Sequence, residues 1–495
     1  MATKVNTPVD VLAFINGEHV SSTRTFKREN PAHPDEIVGS APSNTREETR
    51  AAIEAAAQAF PAWSKTPIAK RAELLGRAAG KLGQNIPEWK SLLTREHGKV
   101  LWDAEGELGL AAAMFAQGTG MADALHLEQR IEDERGRLFI NRQPIGVVSA
   151  ITPWNYPVVL ALMKVMPALL TGNTVVLKPS PFAPLTVSKV ATTIAEELPA
   201  GVLNLVHGFT EVGEELTTNP KVGKIAFTGS GKTATHIMKA ASATIKKVTF
   251  ELGGNDPAIF LEDADLSEES MRKLVVGTFL TTGQICMAAK RIYVHESIYR
   301  PFLDAFRSVA DQWLRIGDGF HPDATIGPLN NRGQKEYVEG LVEEARHNGA
   351  EVIPVGKMLD EEAARTGYFL QPTIVVGARH DDRIVTEEQF GPTVPVLTYN
   401  TEEEAVRLAN DTVYGLTASV WSQDEERALR VAQQMQAGST WINTHSLGGL
   451  DLRAPFGGCK QSGIGVEMGV EGFLEYTEFR VINAPTSGML PGVPV

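Results

Sequence analysis

The fold of this chain is decided by the stretch Ile225-Ala226-Phe227-Thr228-Gly229-Ser230-Gly231-Lys232-Thr233-Ala234. Residues 225–228 form a short apolar run that predicts a strand, and a helix is predicted to follow the glycines. The pattern Gly-x-Gly-x-x-Ala is typical of a tight turn from strand to helix, where backbone N–H groups favour a phosphate. The residues fit either a phosphate cradle or a plain strand–helix turn. They do not fit a P-loop, because that motif needs a glycine at position 226, where this chain has alanine.

Four further apolar runs lack the alternation of a half-exposed strand. They are residues 146–151, 174–178, 202–206 and 247–250. Such runs are typical of strands buried on both faces, and their alternation with helical segments predicts a parallel, doubly wound sheet. Ligands of such sheets lie beyond the carboxyl ends of the strands. The polar residues at those predicted ends are Asn155, Lys178, Ser180, Ser230 and Glu251.

A second α/β set is predicted from residue 258 onward. Its predicted strands are 258–261, 291–294, 394–397 and 418–421, and its helices lie near 267–279, 297–315 and 402–409. Gly253 and Gly254 permit a sharp change of direction, so a domain boundary is predicted there. Residues 126–144 predict a polar hairpin and residues 476–483 a last strand, followed by a Pro/Gly tail.

The composition indicates a soluble globular protein of more than one domain. The chain has 495 residues, 43% hydrophobic and 22% charged, with a net charge of −13. The acidic balance argues against a nucleic-acid partner, which would require a basic face. Two cysteines are too few for a disulfide framework and indicate a reducing compartment. Without a signal segment or a run near the ~20 residues of a membrane-spanning helix, the sequence predicts a cytoplasmic protein with no membrane partner.

Two residues are candidate reactive groups, and each has two interpretations. Cys286 follows the turn Gly283-Gln284-Ile285 and is either a nucleophile held out of a packed wall or a small buried hydrophobe. Glu251 lies 17 residues after Ala234, so it is either a ribose ligand or a general base. Residue types and spacing leave both questions open. Cys459 is interpreted as a buried structural cysteine.

Several short motifs occur together and in a fixed order along the chain. They are Thr152-Pro153-Trp154-Asn155-Tyr156-Pro157, Lys178-Pro179-Ser180, Phe227-Thr228-Gly229-Ser230, Glu251-Leu252-Gly253-Gly254, Gly283-Gln284-Ile285-Cys286, Glu388-Gln389-Phe390-Gly391-Pro392, and Pro455-Phe456-Gly457-Gly458 with Lys460 and Ser462-Gly463. Each motif alone is modest evidence, but their order and spacing are very specific. With them the chain resembles the aldehyde dehydrogenase superfamily over nearly its whole length.

The resemblance implies a mechanism centred on Cys286 as the nucleophile. In the family, the thiolate attacks an aldehyde, the amide matching Asn155 and the cysteine N–H stabilise the oxyanion, and hydride passes to a nicotinamide. Glu251 matches the general base that activates water against the resulting thioester, so the resemblance favours the base over the ribose ligand. Lys164 and Glu467 match positions linked to proton movement and support of the site.

The resemblance also implies NAD as cofactor, with NADP possible. Lys178 matches a ligand of the adenosine ribose, Ser230 a ligand of the pyrophosphate and Glu388 a ligand of the nicotinamide ribose. The remaining predicted cofactor residues are Ile151, Trp154, Ser180, Pro181, Gly229 and Phe390. Pro181 stands where many NAD-linked members carry a glutamate that holds the ribose hydroxyls. The missing carboxylate removes a repulsion against a 2′-phosphate, which favours tolerance of NADP.

By alignment to the family, the substrate pocket has an apolar wall. Its predicted members are Leu160, Met163, Leu280, Ile285 and Met287, with residues 445–447 from a distant loop. No arginine among these positions can pair with a carboxylate, and methionine adapts to different shapes. The expected substrate is an uncharged aliphatic or aromatic aldehyde, and no metal is expected.

The expected fold class is α/β. It comprises a Rossmann-like doubly wound cofactor domain (residues 1–125 and 145–252), a second α/β catalytic domain (residues 253–471) and a small β oligomerisation element (residues 126–144 and 472–495). Through that element the resemblance implies self-association into a dimer or tetramer.

Two other functions compete with hydrolytic aldehyde oxidation. One is a CoA-acylating relative, against which Glu251 argues, because acyl transfer to CoA does not need that base. The other is a non-catalytic protein of the same fold, against which the joint presence of Cys286, Glu251 and Asn155 argues.

Overall fold

The computed structural model describes residues 7–486, so the first six residues of the predicted cofactor domain and the tail beyond residue 486 lie outside the described part. The helices are α1 Arg46–Trp63, α2 Ile68–His97, α3 Leu101–Gly120, α4 Pro157–Leu170, α5 Leu185–Ala195, α6 Thr210–Thr218, α7 Gly231–Ser242, α8 Glu268–Phe279, α9 Tyr299–Trp313, α10 Arg332–His347, α11 Glu361–Thr366, α12 Arg383–Thr386, α13 Glu402–Asn410, α14 Glu425–Ala432 and α15 Gly469–Leu474. The strands are β1 Val9–Asp10, β2 Ala13–Ile15, β3 Glu18–Val20, β4 Thr25–Asn30, β5 His33–Pro42, β6 Glu128–Asp133, β7 Gly136–Pro144, β8 Val147–Ile151, β9 Thr174–Lys178, β10 Leu203–Leu205, β11 Val222–Thr228, β12 Lys247–Glu251, β13 Asp256–Phe260, β14 Ala289–His295, β15 Arg315–Ile316, β16 Glu351–Pro354, β17 Lys357–Met358, β18 Thr373–Val376, β19 Thr393–Tyr399, β20 Thr417–Trp421, β21 Ser439–Ile442, β22 Gly463–Ile464 and β23 Thr477–Pro485.

The first large sheet has eight strands in the order β22-β12-β11-β8-β9-β10-β2-β3. Its central strands, from β12 to β10, are parallel. The chain runs from β8 outward through β9 to β10, and then returns to the other side of β8 with β11 and β12. This reversal opens a crevice at the carboxyl ends of β8 and β11, the place where open α/β sheets bind ligands.

Helices cover both faces of this sheet, which explains the unalternating apolar runs. Val147 and Val176 pack in a core cluster with α1 and α7, whereas Val148 and Val175 pack in the larger cluster with α2 to α5. Every residue of β9 and β10 is buried. Helix α1 begins with the capping box that Thr45 and Glu48 form across its first turn.

The second large sheet has seven strands in the order β16-β18-β19-β14-β13-β20-β21. All neighbouring pairs are parallel except β16 with β18. Helices α8 and α9 supply Met271, Leu274 and Phe306 to the core on one of its faces. Cys286 lies in the connection from α8 to β14, where the two large sheets approach each other.

A separate three-stranded antiparallel sheet joins β23, β7 and β6 in that order. It contains the predicted polar hairpin and the last predicted strand. Its outer face keeps large apolar side chains in solvent: Phe479 is 62% and Val481 59% exposed.

The predicted α/β fold class is confirmed by the parallel sheets and by the solved structures described below. The predicted strands of the two large sheets coincide with observed ones, because they are apolar runs long enough to be buried on both faces. The domain boundaries stay a prediction. The assignment of β12 and β13 to different sheets is compatible with a boundary near residues 252–254.

Candidate active site

Two cavities meet at Asn155 and Cys286. One is an apolar pocket of about 510 Å³, whose wall comes mainly from α3, α4 and the segment around Cys286. The other is a more polar cleft of about 870 Å³ at the crevice of the first sheet. Both cavities have Asn155 and Cys286 in their walls. A molecule in the pocket and a molecule in the cleft therefore approach each other at these two side chains.

A strained turn presents Cys286. Thr281 (φ 52°) and Thr282 (φ 60°) both adopt the left-handed backbone conformation, which is rare for β-branched residues. The Thr281 hydroxyl donates a hydrogen bond to Asp103 Oδ2 at 2.7 Å and lies 2.9 Å from the Tyr156 hydroxyl. Backbone strain of this kind persists only where surrounding contacts hold it. These buried bonds hold the turn that precedes the thiol.

Asn155 is 4% exposed and lies just before α4. Glu107 of α3 accepts hydrogen bonds from the N–H groups of residues 158 and 159, at 2.8 and 3.4 Å, and so caps the start of α4. Lys99 Nζ pairs with Glu107 at 2.6 Å and lies 4.0 Å from Asp103. The buried cluster of Lys99, Asp103 and Glu107 thus connects α3 to both the Asn155 segment and the Cys286 turn.

The surroundings of Cys286 favour the thiol over the thiolate. Burial raises the pKa of Cys286, and nearby carboxyl groups raise it further. These carboxyl groups belong to Glu251, Glu388 and Asp256. The N–H of Met287 opposes the shift by donating to the sulfur. Because the thiolate is the nucleophile, attack at this site requires a proton acceptor.

Glu251 has the properties of such an acceptor. It ends β12, is 5% exposed, and its Oε1 has no hydrogen-bond partner among the described residues. Burial raises the pKa of Glu251 well above its ordinary value, repulsion from Glu467 adds to the rise, and Lys164 opposes it. Lys164 and Glu467 form a fully buried ion pair. Buried carboxyl groups with strongly raised pKa values are typical of functional sites.

The polar cleft has a helix start and an aromatic pair in its wall. Gly229 and Ser230 line it, and the Ser230 Oγ caps α7 by accepting a hydrogen bond from the N–H of Thr233 at 3.3 Å. The remaining N–H groups at this helix start suit a phosphate. Trp154 and Phe390 meet edge to face on the wall, with ring centroids 5.3 Å apart.

Glu388 and Lys178 supply charged groups near this cleft. The N–H of Gly254 donates to Glu388 Oε1 at 3.0 Å, and burial raises the pKa of Glu388 to about 7. A Cβ on Gly253 would lie 2.3 Å from Glu388 Oε2, so the approach of the carboxylate requires glycine. Burial lowers the pKa of Lys178 to about 8, and its amine donates one long hydrogen bond (3.4 Å) to the carbonyl oxygen of Pro179.

The structure separates the predicted cofactor residues into two groups. Those in the wall of the cleft are Trp154, Gly229, Ser230, Glu388 and Phe390. Those outside its wall, at or after the carboxyl ends of β8 and β9, are Ile151, Lys178, Ser180 and Pro181. Apart from Glu388 and Phe390, which lie between α12 and β19, these residues lie at or after the carboxyl ends of β8, β9 and β11, as a doubly wound sheet predicts.

The apolar pocket contains four of the five predicted wall residues. Leu160, Met163, Ile285 and Met287 line it, together with Leu447 from the distant loop. Leu280 is not in the wall. It is 6% exposed and packs in the same hydrophobic cluster as Ile285 and Met287, with the left-handed residues Thr281 and Thr282 between them along the chain.

Seven wall residues were not predicted from the sequence: Leu110, Met114, Tyr156, Val159, Leu450, Phe456 and Met468. The helical periodicity of α3 predicts an apolar face but does not distinguish a face in the core from a face on a cavity.

Three remaining predictions concern other parts of the chain. Cys459 is exposed, not buried as predicted, because it lies on a surface turn, where its thiol donates to the carbonyl oxygen of Gln436 at 3.1 Å. Across residues 7–486, no three His, Cys, Asp or Glu side chains are grouped to hold a metal ion. In the same range, every helix is too short or too polar to cross a membrane.

The sequence matches a family model and many known proteins over almost its full length. The model described as the aldehyde dehydrogenase family matches residues 19–482. Betaine aldehyde dehydrogenase of Bacillus subtilis (strain 168) is 38% identical over 482 residues, which cover 96% of this chain and 97% of that protein.

Solved structures agree with this match. The Mycobacterium tuberculosis aldehyde dehydrogenase complexed with NAD+ is similar with a TM-score of 0.92 at 33% identity, covering 98% of this chain and 100% of that one. An NADP-dependent enzyme of E. coli is similar with a TM-score of 0.90 at 36% identity, covering 95% and 97% of the two chains.

Proposed function

The chain belongs to the aldehyde dehydrogenase family, as its sequence predicts, and we propose that it oxidises uncharged aliphatic or aromatic aldehydes to carboxylic acids with NAD(P). The observation that carries this proposal is the shared position of Asn155 and Cys286 in the walls of both cavities. A carbonyl group that enters through the apolar pocket reaches the thiol at the point where the polar cleft also ends.

Cys286 is the proposed nucleophile. Its Sγ forms a bond to the aldehyde carbon, the carbonyl π electrons move onto oxygen, and the thiol proton passes to Glu251. The raised pKa of Glu251 favours it as acceptor. The side-chain amide of Asn155 and the N–H of Cys286 donate hydrogen bonds to the oxyanion.

The polar cleft is the proposed cofactor site. The chemistry that NAD(P) supplies when bound is uptake of the hydride from the adduct, which leaves a thioester on Cys286. The helix start at Ser230 would bind the pyrophosphate, Glu388 a ribose of the nicotinamide half and Lys178 the adenosine ribose. Trp154, half-buried on the cleft wall, would exclude water from the reacting centre.

Glu251 acts again in the second half of the proposed reaction. After releasing the first proton, its carboxylate takes a proton from water, whose oxygen attacks the thioester carbon. The C–S bond then breaks, the carboxylic acid leaves and Cys286 regains a proton. Lys164 supports the ionised form of Glu251, because its charge lowers the pKa of that carboxyl group.

An uncharged substrate suits the apolar pocket, because no acidic or basic side chain of residues 7–486 lines its wall. The betaine aldehyde dehydrogenase among the relatives raises a cationic aldehyde as the second candidate. In an apolar wall, an aromatic ring would be needed to attract that cation. Two aromatic side chains of the described residues line the wall, and Tyr156 is one of them. Lys99 Nζ already lies 3.9 Å from the centroid of the Tyr156 ring, so a second cation there meets like charge.

Both NAD and NADP are proposed cofactors. Pro181 carries no carboxylate that would repel a 2′-phosphate, and Lys178 lies three residues before it, at the end of β9. An NADP-dependent enzyme is among the similar structures.

Self-association into a dimer or tetramer is part of the proposal. Strands β6 and β23 are the edges of the three-stranded sheet within the described residues, and β23 carries the exposed Phe479 and Val481. Unpaired edges with apolar side chains favour addition to a neighbour's sheet. The proposed compartment is the cytoplasm, and the proposed domains are those predicted from the sequence.

Turnover of simple aldehydes tests the function. Purified protein is mixed with hexanal or benzaldehyde and with NAD or NADP, and reduced cofactor is followed by its absorbance. We expect turnover by the wild type and by Cys459→Ala, and none by Cys286→Ala. Cys459→Ala is the matched control, since it removes the other cysteine of the chain.

Product analysis separates the competing functions. Free acid as the product supports hydrolysis, whereas acyl-CoA formed in preference to acid would refute it. Absence of turnover with either cofactor across short, long and aromatic aldehydes would favour a non-catalytic protein. Faster oxidation of betaine aldehyde than of hexanal would favour the cationic class.

A further inference from the structure

A second apolar chamber lies beside the pocket that contains Cys286. It is partly open to solvent, spans about 510 Å³ with the solvent space at its mouth included, and lies between the ends of α3 and α4 and the segment that contains Leu452 and Phe473. Five methionines contribute to its wall, and the side chain of Gln117 is its one polar group among the described residues. The proposed oxidation uses none of the side chains that line this chamber alone.

Three methionines form the partition between the two cavities. Met114, Met163 and Met468 line both the chamber and the catalytic pocket. Methionine is unbranched, with a flexible side chain that adapts to different ligand shapes. A partition of three methionines can therefore let an apolar chain pass without a change in the backbone.

Gly118 of α3 allows Met166 to pack close to that helix in the wall of the chamber. A Cβ on Gly118 would lie 2.6 Å from Met166 Cγ, so a larger residue there would push the Met166 side chain away from its present place. Glycine is unfavourable inside a helix by roughly 0.5–1 kcal/mol relative to alanine. Its presence at this close approach is consistent with a constraint on the shape of the cavity.

We propose that this second chamber binds the distal part of a long or bulky apolar aldehyde whose carbonyl group lies at Cys286. The proposal rests on the function proposed above and specifies its substrate class. The substrate enters the catalytic pocket, and its tail passes between Met114, Met163 and Met468 into the chamber. Each methylene group buried there is worth about a fourfold gain in kcat/KM.

Chain-length profiles of blocked variants test the proposal. kcat/KM is measured for butanal, hexanal, octanal and decanal with the wild type, Leu452→Trp and Met121→Trp, because both substituted residues line the chamber alone. Leu429→Trp is the matched control, since Leu429 is 38% exposed on α14. In the wild type and the control, we expect kcat/KM to rise up to decanal. In both blocked variants, we expect it to fall at least tenfold for decanal and to stay within twofold for butanal.

Three results would overturn the proposal. One is a wild-type kcat/KM that does not rise from hexanal to decanal. This result can be obtained without any variant. Another is an unchanged decanal value in both blocked variants. The third is an equal loss for butanal and decanal, which would mean that the substitutions disturb the catalytic pocket itself. Failure of the function proposed above gives a different result, namely no oxidation of any aldehyde by the wild type.

Discussion

The hydroxyl group of Thr281 offers a direct test of how the Cys286 turn is held. In Thr281→Val, the β-branched shape stays while the hydrogen bond to Asp103 Oδ2 (2.7 Å) and the contact with the Tyr156 hydroxyl (2.9 Å) are lost. Asp103 is 5% exposed, so its oxygen loses a donor that water cannot easily replace. Loss of a hydrogen bond to a buried charged group costs about 2 kcal/mol in the free energy of unfolding.

The substitution should also affect catalysis. Relaxation of the left-handed turn would displace Cys286 from Asn155, and a displacement near 1 Å costs about 100-fold in rate. We expect kcat/KM for hexanal to fall about 10- to 100-fold. Thr281→Ser keeps the hydroxyl and serves as the matched control, with kcat/KM near that of the wild type.

The assays are urea unfolding, steady-state kinetics and the rate at which iodoacetamide alkylates Cys286. An altered alkylation rate in Thr281→Val would show that the turn positions the thiol. If the variant loses stability but keeps kcat/KM and alkylation within twofold of the wild type, the reasoning is refuted and Thr281 serves stability alone.

Four further outcomes are expected. Glu251→Gln should slow the burst of reduced cofactor, because the thiol loses its proton acceptor, and turnover should stall after one equivalent, with kcat lowered by 100- to 10,000-fold, about the usual contribution of a general base; weaker cofactor binding with an unchanged burst and kcat would point instead to a ribose ligand. Burial and Glu467 raise the pKa of Glu251, so the ionised base is lost as pH falls. We therefore expect kcat to keep rising with pH above the range in which an ordinary glutamate is already fully ionised. A pH-independent kcat between pH values of about 5 and 9 would contradict this. Lys164→Met leaves Glu467 without its buried partner and should lower the free energy of unfolding by about 3–5 kcal/mol, as measured by urea unfolding, and shift the pH profile further to alkaline values. Pro181→Glu should lower kcat/KM for NADP about tenfold or more relative to NAD, and an unchanged ratio would show that this position does not face the 2′-phosphate.

The parts of the fold that are predictable from sequence depend on local patterns. Strands such as β9 are short apolar runs, so burial on both faces is visible in the residue types themselves. The glycine-rich turn before α7 likewise specifies its own strand-to-helix geometry. These features need no knowledge of distant contacts.

The parts that were missed depend on contacts between distant segments. The ion pair of Lys164 with Glu467 joins residues 303 positions apart, and Asp103 contacts Thr281 across 178 positions. Helix α3 has an ordinary helical sequence pattern, and that pattern does not indicate that Glu107 caps α4 from within it. Ionic groups are usually solvated, so nothing in their immediate sequence indicates that they are buried.

The roles of the site residues come from the family resemblance, and the structure shows where these residues lie relative to one another. The structure brings Asn155 and Cys286 into common walls, a juxtaposition that spacing alone did not indicate. Leu280 shows the opposite case, because the alignment predicts it in the pocket wall, whereas in the structure it lies outside that wall, in the same hydrophobic cluster as Ile285.

The short strand β22 has a consequence for the separability of the two halves of the chain. It pairs antiparallel with β12, with Gly463 opposite Glu251, and Leu252 N–H donates to the carbonyl oxygen of Ser462 at 2.9 Å. A fragment that ended after β12 would therefore expose an unpaired sheet edge at the residue proposed as the base. In a chimaera of two homologues, β12 and β22 should therefore come from the same protein. A chimaera joined near residue 253 would instead pair the strand that ends at Glu251 with a β22 strand from the other homologue.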